Sequence, residues 1–417
     1  MRTAAHARWA AVAIFTLIAL SISTPTYAQN LSCPRGEKTE FGAAFNPLLR
    51  IKPNSNGVFV DHGQGNSISS MRLLLSIAAE SKASDWDVII RDKYFRIIAT
   101  FPDDDFRDAQ GNYTVSRWTG RLPTTNGVYV EVLARDSVDV LLEINRGLAT
   151  PELSSDTRLF SILGDKPAWT SLENIEDVGP RRAGYSVGML LTGSNAAPGS
   201  EGPASWCCSG VMITSDLFLT NWHCGGSRVV EGEYWNTTTC AQTLIDLGWN
   251  LATGLSQQLS CQAVLAKDQR LDFAILRVRA LIGSGGISGA PIRSRLSTAP
   301  ISERDIYVVH HAQCSPKLVS KNCRVQDARI PAWIEAPVDM VADLAPNFAH
   351  DCDTEPGSSG GAVFNTAREL IGIHHSGFAR DENCEPVDRL NKGVSLAAIL
   401  DYLAAHHPDL RKEIRAP

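Results

Sequence analysis

The chain has 417 residues, of which 44% are hydrophobic and 20% charged, and a formal net charge of −6. Such a length accommodates two or three domains with real cores, and the aliphatic content excludes a disordered chain. The mild acidity leaves no electrostatic footprint for nucleic acid, and with its one long apolar run at the extreme N-terminus the chain is not a multispan membrane protein.

Arg2 and Arg8 precede a nearly continuous apolar run from Trp9 to Leu20, followed by a polar stretch that ends in Thr26-Tyr27-Ala28 before Gln29. Small residues at the first and third places before a cut are what a signal peptidase admits. The apolar core is too short to span a bilayer of ~30 Å comfortably. Residues 1–28 therefore read as a cleaved secretory signal, which makes the protein extracellular or periplasmic and leaves it off the membrane once the signal is removed. Ten cysteines, from Cys33 to Cys384, all lie beyond that point. An even count in an oxidising compartment allows five disulfides. No C-x-x-C pair suggests a metal instead, and Cys207-Cys208 is the only tight pair.

Residues 29–150 carry short β-rich runs at Met71–75, Trp86–90, Phe95–98, Val128–132 and Val138–142, punctuated by turn chemistry at 102–105, 110–112 and Asn126-Gly127. Strands at this spacing predict a β-sandwich-like domain, either an accessory module or a propeptide. No acid–base or nucleophilic constellation appears in it. Residues 151–182 read as a connector with Pro151, Pro167 and Pro180, and its dibasic pair Arg181-Arg182 is a candidate processing site. Beyond it the texture becomes Gly-rich, short-stranded and cysteine-bearing. Ser395 then caps a helix with an apolar stripe through Leu396, Ile399, Leu400 and Leu403.

Three segments carry chemistry. The first runs from Cys208-Ser209-Gly210 to Thr220-Asn221-Trp222-His223-Cys224, the second is Leu271-Asp272-Phe273-Ala274-Ile275-Leu276, and the third is Thr354-Glu355-Pro356-Gly357-Ser358-Ser359-Gly360-Gly361. A serine hydroxyl becomes a nucleophile when a histidine takes its proton, and the histidine needs a carboxylate to fix its tautomer. Gly357 can adopt a backbone geometry that turns its N–H into the site. With the N–H of Ser359 it would hold an oxyanion, each such donor being worth ~3–4 kcal/mol in other enzymes.

These segments resemble the chymotrypsin/trypsin-like serine endopeptidases, closest to the bacterial branch of lysyl and glutamyl endopeptidases. The resemblance rests on T-x-x-H-C at Thr220 to Cys224, T-E-P-G-S-S-G at Thr354 to Gly360, Tyr234-Trp235-Asn236, His310-His311 and Leu370-Ile371-Gly372-Ile373-His374, and it covers about residues 180–405. The order His, Asp, Ser, with gaps of 49 and 87 residues, suits that family.

The resemblance implies an all-β domain over 183–417: two antiparallel β-barrels with the site between them and a C-terminal helix. It implies His223 as general base, Asp272 as its orienting partner, Ser359 as nucleophile, and Gly357 with Ser359 as the oxyanion hole. It pairs Cys208 with Cys224, a role for which Cys207 competes, and Cys323 with Cys352. In trypsin the residue before the nucleophile is an aspartate that pairs with the new N-terminal amine on activation; here it is Ser358. If the enzyme is a zymogen, its N-terminal domain must therefore mask the cleft or assist folding by another route.

For the substrate pocket, Asp353 stands six residues before Ser359, where trypsin keeps its carboxylate for Lys and Arg, and Asp388 lies in the loop that serves lysyl endopeptidase. His374 and Thr354 fall where glutamyl endopeptidases hold a substrate carboxylate. The expectation is cleavage after a basic residue, with a glutamyl-specific endopeptidase as the alternative. A second class is a catalytically silent protease-like module that binds a protein; a serine esterase would use the same nucleophile. Partners are expected to be protein or peptide substrates of a monomer. No metal and no cofactor is expected, because adjacent histidines such as His310-His311 and His374-His375 point to opposite faces of a strand.

Overall fold

The computed structural model describes residues 43–61, 68–78, 85–108, 110–123, 127–135, 139–151, 162–163, 166–193, 205–226, 234–250, 257–281, 293–299, 301–302, 304–330, 347–380 and 386–415. The signal segment, Cys33 and Cys384 lie outside the described residues. Among those described, no helix is long and apolar enough to cross a membrane.

The N-terminal part is built from two sheets. One joins Ala43–Phe45, Leu49–Ile51, Ile68–Ile77, Arg117–Trp118, Leu122–Pro123 and Leu142–Pro151; the other joins Val58–Val60, Trp86–Arg91, Ile97–Pro102 and Val128–Ala134. Period-two alternation directs Val128, Val130 and Val132 inward, against Met71, Leu73 and Leu75 of the first sheet. Two expected strands shift. The run at 95–98 becomes Ile97–Pro102 because Phe95 sits at φ +61° in the preceding turn. The run at 138–142 begins at Leu142, where pairing with Ile77 starts, and continues to Pro151.

The second part is a pair of six-stranded antiparallel barrels. Strands β1 (Val187–Gly193), β2 (Ser205–Met212), β3 (Leu217–Thr220), β4 (Leu244–Asp246), β5 (Gln258–Asp268) and β6 (Phe273–Ala280) close the first, in the order β1-β2-β3-β6-β5-β4. Strands β7 (Asp305–His310), β8 (Leu318–Ile330), β9 (Asn347–His350), β10 (Ala362–Asn365), β11 (Glu369–Ser376) and β12 (Asn391–Ser395) close the second. Its ring runs β8-β7-β10-β11-β12-β9 and returns to β8. This is the chymotrypsin-like all-β architecture. A short helix, α1 (Val178–Gly184), precedes the first barrel, and α2 (Thr237–Gln242) packs on its wall.

Ser395 stands at the N-terminus of α3 (Leu396–His406), whose Leu396, Ile399, Leu400 and Leu403 are buried as the stripe requires. The Ser395 hydroxyl itself makes no capping bond. A second helix, α4 (Pro408–Arg415), follows, unforeseen in the sequence because its mean hydropathy is low. Arg277 of β6 bonds both carboxylate oxygens of Glu413 at 2.9 Å, so the C-terminus is fastened to the first barrel.

One expectation about the connector, that it is a linker throughout, does not hold. Residues 169–182 belong to the barrels: Trp169–Ser171 pairs with Leu318–Ser320 of β8, and Leu172 and Ile175 join the core. Arg181 and Arg182 lie in the last turn of α1 and not in an extended segment. Prolines suggested a linker here, but Pro180 occupies the first turn of α1, where its missing N–H costs nothing.

The sandwich docks on one end of the first barrel. Its core cluster takes in Leu244 and Leu281 of that barrel. Arg121 bonds Asp246 at 3.4 Å and lies 3.5 Å over the Trp249 ring. Arg117 donates to the Ala241 carbonyl and Arg72 to Ser205 Oγ. Arg279 returns an ion pair to Asp105. Burial strips the Arg72 guanidinium of its hydration and lowers it to about 9. Arg121→Ala is expected to destabilise the protein by about 3 kcal/mol, since it strips Asp246 and Trp249 of a buried guanidinium. Denaturant unfolding checks this; an unchanged midpoint would show that the sandwich merely rests on the barrel.

Candidate active site

β3 ends at Thr220, and the chain turns through a 3-10 turn, Trp222–Gly225, that presents His223. Asp272 occupies the turn before β6 at φ +46°, a conformation that Asp tolerates better than most residues. Ser359 precedes β10 of the second barrel. The three meet between the barrels. His223 Nε2 lies 2.8 Å from Ser359 Oγ and its Nδ1 lies 2.7 Å from Asp272 Oδ2. The His223 backbone N–H donates to Asp272 Oδ1 at 2.9 Å. Burial by itself would raise the Asp272 carboxyl, but the His223 charge and hydrogen bonds from His223 and His375 hold it well below the usual carboxylate range.

Gly357 sits at φ +95°, in the left-handed region, and a Cβ there would lie 2.6 Å from the His311 carbonyl. Among the described residues, neither the Gly357 N–H nor the Ser359 N–H is spent on a backbone carbonyl. Both are thus available to an oxyanion. Gly360 sits at φ +83°, and a Cβ there would lie 2.0 Å from the Ser209 carbonyl oxygen, so the close passage of the two segments requires glycine.

Four functional neighbours escaped the sequence reading. Ser209 donates Oγ–H to the Gly357 carbonyl at 2.8 Å and its N–H to the Ser359 carbonyl at 2.6 Å, which anchors the nucleophile loop to β2. Asn221 Nδ2 donates to the Asp272 carbonyl at 2.8 Å, tying the histidine turn to the aspartate turn. His375 Nδ1 lies 3.2 Å from Asp272 Oδ2 as a third donor to that carboxylate. Cys207 bonds Cys314, behind Gly357. Strand alternation offers a signal for this last pair: Cys207 and Cys208 face opposite ways, so two different partners are required. Trp222 stacks on Tyr234 with centroids 4.4 Å apart.

Cys208 bonds Cys224, Cys323 bonds Cys352, and Cys240–Cys261 completes four disulfides among the described residues. The pocket candidates fare differently. Asp353 does not face a substrate: its carboxylate accepts the backbone N–H of Leu163 at 2.9 Å and of Ala168 at 2.7 Å. Thr354 Oγ1 is buried without a hydrogen-bond partner, and His374 Nδ1 faces His350 Nε2 at 3.3 Å. Asp388 ends a short strand, and its side chain lies outside the described residues. His223 forms a close group with Cys208 and Cys224, but those sulfurs are joined to each other and unavailable to a metal.

Desolvation dominates His310, His311, His350 and His374. Burial lowers His310 and His350 to about 3 each, so both are neutral when folded. Unfolded, they titrate near ~6.5. Their stabilisation is therefore complete above pH 6.5 and is lost as pH falls toward 3, by about 2 kcal/mol per histidine at pH 5. Thermal unfolding from pH 7 to pH 5 should show this slope, and His350→Gln should flatten it; a melting temperature constant over that range would refute it.

The chain matches the trypsin-like peptidase domain family over residues 208–373. No curated protein matches it. Among solved structures, it is 18% identical to the Rv3671c protease from M. tuberculosis in its active form, over 61% of this chain and 93% of that one, with a TM-score of 0.38. It is 16% identical to the MamO protease domain from Magnetospirillum magneticum, over 53% and 97% of the two chains, with a TM-score of 0.37. With the serine endoprotease from Yersinia pestis the identity is 17%, the coverage 58% and 68%, and the TM-score 0.35. The matched stretch, residues 208–373, lies within the double barrel and spans His223, Asp272 and Ser359.

Proposed function

We propose that the protein is an exported serine endopeptidase in which Ser359, His223 and Asp272 form the catalytic triad. The single observation that carries this reading is the unbroken series Ser359 Oγ, His223, Asp272 at 2.8 and 2.7 Å, beside two uncommitted N–H groups. Ser359 Oγ attacks the substrate carbonyl while His223 Nε2 takes its proton. The Gly357 and Ser359 N–H groups hold the oxygen that becomes negative. His223 returns the proton to the leaving amine, and water hydrolyses the acyl-enzyme by the same steps in reverse order. Asp272, deprotonated at any working pH, fixes the histidine tautomer; His375 and the His223 N–H in turn fix Asp272. The four disulfides support export to an oxidising compartment.

For the residue before the scissile bond, the basic-residue reading loses Asp353, whose carboxylate is already satisfied, and rests on Asp388 alone. An acidic residue is favoured by one specific observation: Thr354 Oγ1 is a buried hydroxyl without a hydrogen-bond partner among the described residues. A buried hydroxyl in that condition costs about 1–3 kcal/mol, which a substrate acceptor would recover.

Digestion of a mixed peptide library, read by mass spectrometry, tests both levels. Cuts that disappear in Ser359→Ala are expected, with kcat falling by at least about 10⁴-fold and the fold retained. Glu or Asp before the cuts supports Thr354 with His374, whereas Lys or Arg supports Asp388. Turnover by Ser359→Ala at the wild-type rate would refute the mechanism, and hydrolysis of esters without peptides would make the protein an esterase. Binding of a protein with no cleavage would favour the silent module.

A further inference from the structure

The loop from Asp353 to Ser359 forms the oxyanion hole, and both its ends are held by the chain that precedes the first barrel. At the near end, the Asp353 carboxylate accepts the N–H groups of Leu163 and Ala168. At the far end, contact runs through His310. The strand Trp169–Ser171 places Trp169 opposite Ser320 of β8, and the Trp169 indole meets the His310 ring edge-on with centroids 5.7 Å apart. His310 Nδ1 lies 2.7 Å from Ser358 Oγ, and its Nε2 lies 3.0 Å from Ser320 Oγ.

Donors and acceptors along this path fall into one order. The Glu355 N–H donates to Ser358 Oγ at 3.0 Å, and Ser358 donates its proton to His310 Nδ1. His310 Nε2–H donates to Ser320 Oγ, which donates to the Asp353 carbonyl at 2.6 Å. Each residue in this chain is buried and each hydrogen-bonding group along it has a partner, and such a connected network specifies a single arrangement. Only the tautomer with the proton on Nε2 closes it, and a neutral His310 is what burial imposes.

We propose that residues 162–163 and 166–171 act as a built-in activating segment: they hold the loop 353–359 in its oxyanion-binding form in the uncut chain, so that activity needs no proteolytic step. The task that trypsin-like enzymes give to a new N-terminal amine paired with an aspartate passes here to Ser358, His310 and Trp169, without a charge. This rests on the serine endopeptidase reading. It also makes the connector part of the working enzyme and not a propeptide tail.

The test uses the full chain carrying Arg181→Ala and Arg182→Ala, which block the candidate processing site, and a fluorophosphonate probe. The probe phosphorylates Ser359 Oγ with loss of fluoride while His223 accepts the proton, a reaction that requires the oxyanion hole. The expected result is one label per uncut chain at the wild-type rate. Trp169→Ala and Asp353→Asn should each slow labelling by at least about tenfold, with the titratable fraction still near one, and Trp169→Phe should restore the rate. Labelling confined to shortened chains would overturn the inference, as would full-rate labelling of both variants. A titratable fraction that falls while the rate constant stays fixed would overturn it too, because the residues would then be merely structural. If no form of the chain takes the label, cut or uncut, the endopeptidase reading itself fails and this inference with it.

Discussion

Three consecutive residues of one strand hold the site together. Cys207 is bonded to Cys314 behind Gly357, Cys208 to Cys224 in the histidine turn, and Ser209 binds the carbonyls of Gly357 and Ser359. The first barrel carries His223 and Asp272, and the second carries Ser359 and the uncommitted N–H groups of Gly357 and Ser359. Their relative position to within a few tenths of an ångström is what general base catalysis demands. Because side chains alternate across a strand, Cys207 points to the second barrel while Cys208 points into the core of the first. A rigid strand wall is thereby braced on both sides at the same height.

Around this brace, the structure commits several polar groups to one carboxylate. Asp272 receives three donors, from His223 twice and from His375, and Asn221 holds its backbone. Each donor stabilises the ionised carboxylate against the desolvation that its burial imposes. The neighbouring histidines are handled by the opposite rule. His310, His311, His350 and His374 are all buried, and burial lowers all four below their ordinary value, so they serve as neutral hydrogen-bonding rings. One residue type therefore supplies a base at the site and uncharged structural rings a few ångströms away, the difference being made by solvent.

The N-terminal module is joined to the peptidase domain by arginines more than by an apolar face. Arg72, Arg117 and Arg121 are removed from water to reach Ser205, the Ala241 carbonyl, Asp246 and Trp249. A planar guanidinium can satisfy several acceptors and still lie flat on an indole, which a lysine cannot. With the Asp353 contact at the second barrel, the N-terminal half grips the peptidase domain at two separated places. Sandwich and connector thus read as working parts of one unit.

Read alone, the sequence identified the C-terminal helix and the three residues that meet at the site, and it implied the double barrel through the family resemblance. It did so because a nucleophile, a base and a carboxylate each sit in short glycine- and strand-patterned segments whose local geometry is encoded locally: T-x-x-H-C turns after a strand, and G-x-S-G-G needs positive φ at Gly357 and Gly360. The alternating runs of the N-terminal part were legible for the same reason. Contacts between segments distant in the chain were not. Nothing near Asp353 indicates that its carboxylate will be taken by Leu163 and Ala168, 190 and 185 residues away, and nothing near Ser358 announces His310, 48 residues earlier. Whether a carboxylate faces a substrate or a backbone amide depends on which chain segment packs over it, and only the closed tertiary structure makes that choice.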